Sequence, residues 1–185
     1  QFRTLASRDH RGCFGKSPGG YGAIIHAMRY PEYWGAIADH SGDANFNLCY
    51  LSDWPRTLNE LDRYRPRPRR AGRIDAVRDA KLAADGRDDG RIKRFLAAMW
   101  TREKLSDAEI HAVMELAMAA SYDPDPRAPN GFRVPFNLET AELLPARWRR
   151  WLEHDPVLLV DRYAKNLRTM RGIYIDCGWR DQYHL

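Results

Sequence analysis

The stretch GCFGKSPGGYGA, Gly12 to Ala23, narrows the fold more than any other part of the chain. A short apolar run ends in Gly15, Lys16, Ser17, Pro18 and Gly19, a G-x-S-x-G spacing. Tyr21, Ala23, Ile24, Ile25, Ala27 and Met28 then give a broad helical apolar surface, which Pro31 closes. Proline is tolerated in a helix's first turn because its missing N–H has no intrahelical partner there. The segment therefore reads as a buried strand over 11–16 turning sharply into a helix over 18–30. WGAIA, over 34–38, reads as a second buried strand, and DHSGDANFN as the loop after it. Strand, helix and strand with short links predict a parallel pair in an α/β sheet.

The texture changes after Leu51. RYRPRPRRAGR, Arg63 to Arg73, is a basic, proline-broken connector. Helical patterns follow over 74–84, 91–100 and 106–120. In the last, Ser106 and Glu109 form a capping box, and Ile110, Val113, Met114, Ala117 and Met118 share a face. SYDPDPRAPNGFRVPFN reads as a long proline-rich loop, and helices are expected over 145–153 and 156–170. GIYIDC, over 172–177, is a third buried strand. Residues 1–10 read as a short polar helix. A sheet region, 1–52 with 156–185, is thus interrupted by a mostly helical insertion over 53–155.

A serine at a strand-to-helix turn suits nucleophilic chemistry. The bend needs small neighbours, and the helix N-terminus puts partial positive charge near a developing oxyanion. The competing reading is a glycine-rich turn of a nucleotide-binding protein. Neither G-x-G-x-x-G nor the G-x-x-x-x-G-K-[ST] spacing is present.

HRGCFGKSPGGYGAIIHAMRYPEYWGAIADHSGD resembles the putative esterase family of α/β-hydrolases, which includes enterochelin esterase-like proteins and S-formylglutathione hydrolases. RGIYIDCGWRDQYHL resembles that family's strand leading to an acid in a G-x-x-D pattern, Gly178 to Asp181. The resemblance implies a partial α/β-hydrolase fold. It implies Ser17 as nucleophile in an elbow formed with Gly15, Pro18, Gly19 and Gly20. It implies Asp181 as the acid that orients a histidine, with Asp176 as its rival; Asp176 lies inside the strand and is expected to face a helical layer. The helical insertion would cap the site. Met99, Trp100, Met114, Met118, Trp148 and Trp151 either line a pocket there or pack helices together.

Three departures from the family pattern stand out. The triad order in this fold is Ser, acid, His, yet His184 is too close to Asp181 to serve. His10, His26, His40, His111 and His154 all precede the acid. His40 is the one just past a strand, where it either faces the site or has a structural role. The early strands are also missing, so the chain reads as an internal piece of a longer hydrolase, inactive by itself. Finally, Pro18 has no N–H to give the oxyanion, a donor worth about 3–4 kcal/mol in the transition state.

The expected activity is ester hydrolysis on a small-molecule ester or thioester, with no metal or organic cofactor. The alternatives are a thioesterase or acyltransferase of the same fold, or a non-catalytic binding protein. A net charge of +5 from 30 Lys+Arg against 25 Asp+Glu is too small to imply nucleic acid. Arg63–Arg73 is explained as a solvated linker or as a phosphate-binding module. His, Cys, Asp and Glu show no metal-ligand spacing. No run approaches the length of a membrane span. Cys13, Cys49 and Cys177 form no disulfide pattern, so a cytoplasmic protein is expected.

Overall fold

Three parallel strands carry the sheet, in the order β1 (Gly12–Lys16), β2 (Ala36–His40) and β3 (Gly172–Asp176). The structure is a computed structural model, and it describes residues 3–66 and 73–181. Register runs straight across the sheet: Gly12, Ala36 and Gly172 align at one end, Lys16, His40 and Asp176 at the other. The α/β class expected from the strand–helix–strand run is what the chain adopts, but two of the three strands expected to be buried are not: every residue of β3 is exposed, and Phe14 of β1 is 79% exposed, because β1 and β3 are the outer strands of the three-stranded sheet among the described residues.

The chain divides into two compact units, Gln1–Leu51 with Glu153–Leu185, and Ser52–Leu152. In the first, α1 (Pro18–Arg29) lies on the sheet and α8 (Pro156–Leu167) packs on α1. The core there is Ala23, Ile24, Ile25, Ala27 and Met28 of α1 with Ile37 and Leu159. Each residue type is apolar and repeats at helical spacing, so burial of this face supplies most of the helix's stability. β2 begins and ends two residues later than the apolar run suggests. Gly35 donates to the Arg11 carbonyl at 2.9 Å on entry, and Trp34 packs on the His26 ring instead of continuing a strand. The strand then extends through the polar Asp39 and His40. The helix expected over 1–10 reduces, among the described residues, to one 3-10 turn at Arg8–His10. No apolar stripe holds it; the Arg8 guanidinium instead donates to the Pro31 carbonyl (2.6 Å) and the Thr169 carbonyl (2.9 Å).

The second unit is helical, with α3 (Trp54–Asp62), α4 (Arg73–Ala84), α5 (Arg91–Met99), α6 (Asp107–Tyr122) and α7 (Pro145–Leu152). Trp54, Tyr122 and Trp148 surround Trp151 and Phe136 packs on Trp54, with ring centroids 5.3–5.7 Å apart along the cluster. Trp148, Trp151 and Met99 are core residues, whereas Trp100 is 88% exposed. The Ser106–Glu109 capping box forms as expected. The buried face of α6, however, runs through Ala112, Glu115, Leu116, Ala119 and Tyr122, and Ile110 is exposed. This helix is apolar on nearly every side, so periodicity alone does not select the face. Among the described residues of the basic connector, Arg63 pairs with Glu60 (2.9 Å), and Arg65 with Asp62 and Glu139; positions 67–72 lie outside the described residues, as does His184.

Arg91 organises part of this unit. It is 1% exposed, and its guanidinium meets Asp89 (2.8 Å), Glu139 (2.6 Å) and the Leu138 carbonyl (2.6 Å). Replacing it leaves the buried Asp89 carboxylate without its guanidinium partner. Arg91→Leu is expected to cost about 3–5 kcal/mol, read as a lower urea midpoint by far-UV circular dichroism.

Candidate active site

Ser17 follows the last residue of β1, and its N–H donates to the His40 carbonyl at 3.0 Å. It therefore stands at the carboxyl edge of the sheet, where parallel α/β sheets bind their ligands. Its backbone is unusual for an L-residue, with φ 57° and ψ −129°. Such a conformation costs on the order of 1–3 kcal/mol and persists only where its surroundings enforce it. Here the enforcement is visible. The Tyr21 N–H closes the first helical turn on the Ser17 carbonyl at 3.1 Å, and Pro18 holds the first position of α1.

The two glycines around the bend have distinct reasons. A Cβ at Gly15 would fall 2.2 Å from the backbone carbon and oxygen of Gly19. One at Gly20 would fall 2.3 Å from Asp39 Oδ1 and 2.8 Å from the Gly42 Cα. At Gly19 the same atom would meet nothing within 4 Å among the described residues. Close backbone approach, not flexibility, is what the motif's first glycine provides.

Acidic groups gather at this edge. Asp39, second to last in β2, is 6% exposed and lies against Gly20 and Gly42; its Oδ1 has no hydrogen-bond partner among the described residues. Burial pushes its carboxyl above the usual range, and the Gly42 N–H and His40 only partly oppose this. Asp43, in the loop after β2, is 5% exposed. The Tyr50 hydroxyl donates to Asp43 Oδ2 at 2.5 Å. Burial again raises the Asp43 carboxyl, the hydrogen bond from Tyr50 lowers it, and the Asp39 charge adds to the rise.

The loop carrying Asp43 is itself tied down. The Ser41 N–H donates to the Asp176 carbonyl at 2.7 Å. The Asp155 carboxylate, which caps α8 through the Val157 N–H (3.0 Å), also accepts from the Asn45 (3.1 Å) and Phe46 (2.8 Å) N–H groups. These bonds fix α2 (Phe46–Cys49), at whose C-terminal end Tyr50 sits.

The remaining sequence-predicted residues divide. His40 ends β2 and pairs through Nδ1 with Asp176 Oδ1 at 2.7 Å. The Tyr174 hydroxyl donates to the other Asp176 oxygen at 3.2 Å. Asp176 thus faces away from any helical layer, contrary to expectation, and its side chain is 47% exposed. Asp181 is half-buried in the segment leaving the same edge after β3, where its N–H closes a turn on the Gly178 carbonyl at 2.9 Å. Asp43 and Tyr50 escaped the sequence reading, which treated DHSGDANFN as a connector. The signal was available: an acid just past a strand that ends beside the serine, the same logic that singles out Asp181.

Among the described residues, no group of three His, Cys, Asp or Glu side chains could hold a metal ion, and no helix is long and apolar enough to cross a membrane. The family model described as Putative esterase matches residues 1–184. The chain belongs to the Putative esterase family. No curated protein matches it. Membership makes this esterase-family chain a hydrolase of small-molecule esters, and the edge that carries Ser17 is where its chemistry is sought.

Two outcomes follow from the bend. Gly15→Ala is expected to destabilise the esterase by about 3 kcal/mol or more through backbone overlap, while Gly19→Ala stabilises it by about 0.4–1 kcal/mol at an open helical position; thermal melts compare them. Asp39 supplies the pH test. Its native carboxyl holds a proton more tightly than the unfolded one, which titrates near pH ~3.9. Above that range the unfolded state ionises freely while the native state is penalised. Asp39→Asn is therefore expected to raise the urea midpoint at neutral pH, and the gain to vanish as pH falls below about 4.

Proposed function

We propose that this member of the Putative esterase family is a serine carboxylic-ester hydrolase of the enterochelin esterase-like kind, with Ser17 as nucleophile. The observation that carries the reading is the Ser17 backbone, φ 57° and ψ −129°, between a parallel strand and a helix that starts at the next residue. That arrangement is the strand–turn–helix context in which G-x-S-x-G holds a hydroxyl clear for attack.

In this mechanism Ser17 Oγ attacks the acyl carbon while its proton passes to an imidazole. The carbonyl electrons move to oxygen, then return as the ester C–O bond breaks and the imidazolium protonates the departing alkoxide. Water, deprotonated by the same imidazole, then releases the acid from Ser17. The resemblance assigns Asp181 to orient that imidazole. The engagement of Asp176 by His40 and Tyr174 favours Asp181 over its rival. Thioester hydrolysis and acyl transfer share the acyl-serine step and differ in the leaving group or the second acceptor. The free cysteines Cys13, Cys49 and Cys177 suit a reducing, cytoplasmic setting.

Pro18 favours a second reading, a binding protein that keeps the fold without turnover. The residue after the nucleophile normally donates its N–H to the oxyanion, and proline has none. Gly19 and Gly20 follow in the first turn, where N–H groups lack intrahelical acceptors. In the catalytic reading these two replace the lost donor.

A fluorophosphonate probe separates the readings. Covalent labelling of the protein that disappears in Ser17→Ala supports the esterase; an unlabelled wild type supports the binder. Pro18→Ser restores a backbone donor and is expected to accelerate labelling by up to about 100-fold. An unchanged rate means that Gly19 and Gly20 already supply what the oxyanion needs.

A further inference from the structure

The turn that closes α4 forms one wall of a cavity in the helical unit. Gly86, at φ 66°, ends the helix. Its N–H donates to the Ala83 carbonyl at 3.2 Å, and the Arg87 N–H donates to the Leu82 carbonyl at 2.9 Å. The chain thereby doubles back, and Arg87 returns beside the last turns of α4. Val77 and Lys81 stand four residues apart, as do Arg78 and Leu82, so the four share one strip of the helix. Together with Asp85 and Arg87 they line a cavity of about 480 Å³ that opens to solvent. A volume of that order holds a small molecule.

The lining carries three cations and one acid, and the acid is already engaged. Asp85 Oδ2 accepts from the buried Arg133 guanidinium at 2.7 Å. Arg87 Nε stands 3.3 Å from the same oxygen, but this buried N–H makes no hydrogen bond among the described residues. A buried donor without an acceptor is costly, and few are found in folded proteins. Arg78 meets Asp79, which is outside the lining, at 3.1 Å. Cations near a helix C-terminus offset the helix dipole, and Lys81 in the last turn of α4 is accounted for in that way. The dipole explains neither the open volume nor the Arg87 donor.

We propose that this cavity binds a small amphiphilic anion: a carboxylate or phosphate group held by Lys81 and Arg87, with Arg78 at the rim, and an aliphatic chain resting on Val77 and Leu82. A guanidinium offers paired N–H donors that match two oxygens of such a group, and an ammonium adds a point charge. Val77 is 53% exposed, and an alkyl chain laid over it removes that apolar surface from water. Every residue of this site lies within Ser52–Leu152, so the anion site and the Ser17 reading stand or fall separately.

Isothermal titration calorimetry on the full chain tests this with hexyl phosphate, hexanoate, inorganic phosphate and hexan-1-ol. At least one of the two amphiphilic anions is expected to bind with a Kd below about 1 mM, more tightly than inorganic phosphate or the alcohol. Tighter binding of hexyl phosphate assigns the head group as a phosphate; tighter binding of hexanoate assigns it as a carboxylate. Lys81→Gln and Arg87→Gln are each expected to weaken that binding by about 10-fold or more. Arg56→Gln removes an equal charge from an exposed position on α3 and is expected to leave it unchanged. Lys81 is exposed, so its variant reads out the site even where Arg87→Gln does not fold. Four results overturn the proposal: no saturable binding of either anion, hexan-1-ol binding as tightly as the anions, affinity unchanged in Lys81→Gln, or an equal loss in Arg56→Gln. The third places the anion elsewhere on the protein, and the fourth marks a response to net charge alone.

Discussion

The approach of the Gly15 backbone to that of Gly19 is the contact on which the rest of the site depends. With 2.2 Å between a notional Cβ at Gly15 and the Gly19 carbonyl group, strand and helix can meet only because that atom is missing. The meeting forces the intervening three residues into a bend, and Ser17 takes the positive-φ conformation that the bend requires. The strain is local, but what offsets it is not. Ala23, Ile24, Ala27 and Met28 bury α1 against the sheet, with Ile37 beneath and Leu159 of α8 behind. A helix anchored over its whole length can hold its first turn in a conformation that an isolated peptide would abandon. Rigid placement of a serine hydroxyl is thus a property of the hydrophobic core as much as of the motif.

The same core makes the charge arrangement at the carboxyl edge sustainable. Asp39 and Asp43 are both nearly inaccessible, and burial raises both carboxyls. Two such groups weaken a fold unless something else needs them. Each is held where a smaller or apolar residue would pack more cheaply: Asp39 against the backbones of Gly20 and Gly42, Asp43 against the Tyr50 hydroxyl. Destabilising groups retained beside a strained serine are the pattern expected of a reactive site. The acids of the helical unit contrast with them. Asp89 and Asp125 meet the buried guanidinium groups of Arg91 and Arg133 at 2.8 and 2.6 Å, and these pairs need no further partner to explain them.

What could be read from the sequence follows from how local each signal is. β1, β3 and α1 are bounded by glycine, serine and proline within a few residues, and they stand close to where their apolar runs put them. The Ser106–Glu109 box was legible because both partners lie in one turn. α3 went unread although Asp53, Trp54 and Pro55 announce it and Trp54, Leu58 and Leu61 recur at helical spacing, because the helix is short and charged or polar residues fill most of its other positions. The buried face of α6 could not be chosen from a helix that is apolar on several sides, and tertiary contacts chose Ala112, Leu116 and Ala119. Asp43 was hidden for a different reason. Its importance comes from β2 running two residues further than its apolar stretch, through Asp39 and His40, which brings the following loop back beside Ser17. Polar strand ends carry no periodic signal, and sites live at polar strand ends.

Pro18 bears on both the strain and the chemistry of the bend. At the first position of α1 it presets the helical φ and narrows what the preceding serine can adopt, which suits a chain that must hold a strained bend. In the proposed mechanism the same ring removes the nearest oxyanion donor. Stiffness and donor capacity are therefore exchanged at one residue. The exchange is tolerable only if the first turn has donors to spare, and Gly19 and Gly20 are the residues whose backbone is least shielded by side chains. Gly19 has open space where a side chain would stand, so an incoming carbonyl oxygen can approach its N–H from that side. If Ser17 is the nucleophile, the glycine pair after the proline serves the chemistry of the Ser–Pro junction, in addition to the steric demand that Asp39 and Gly42 place on Gly20. On this view the second half of GKSPGG answers the proline, and the first half answers the strand.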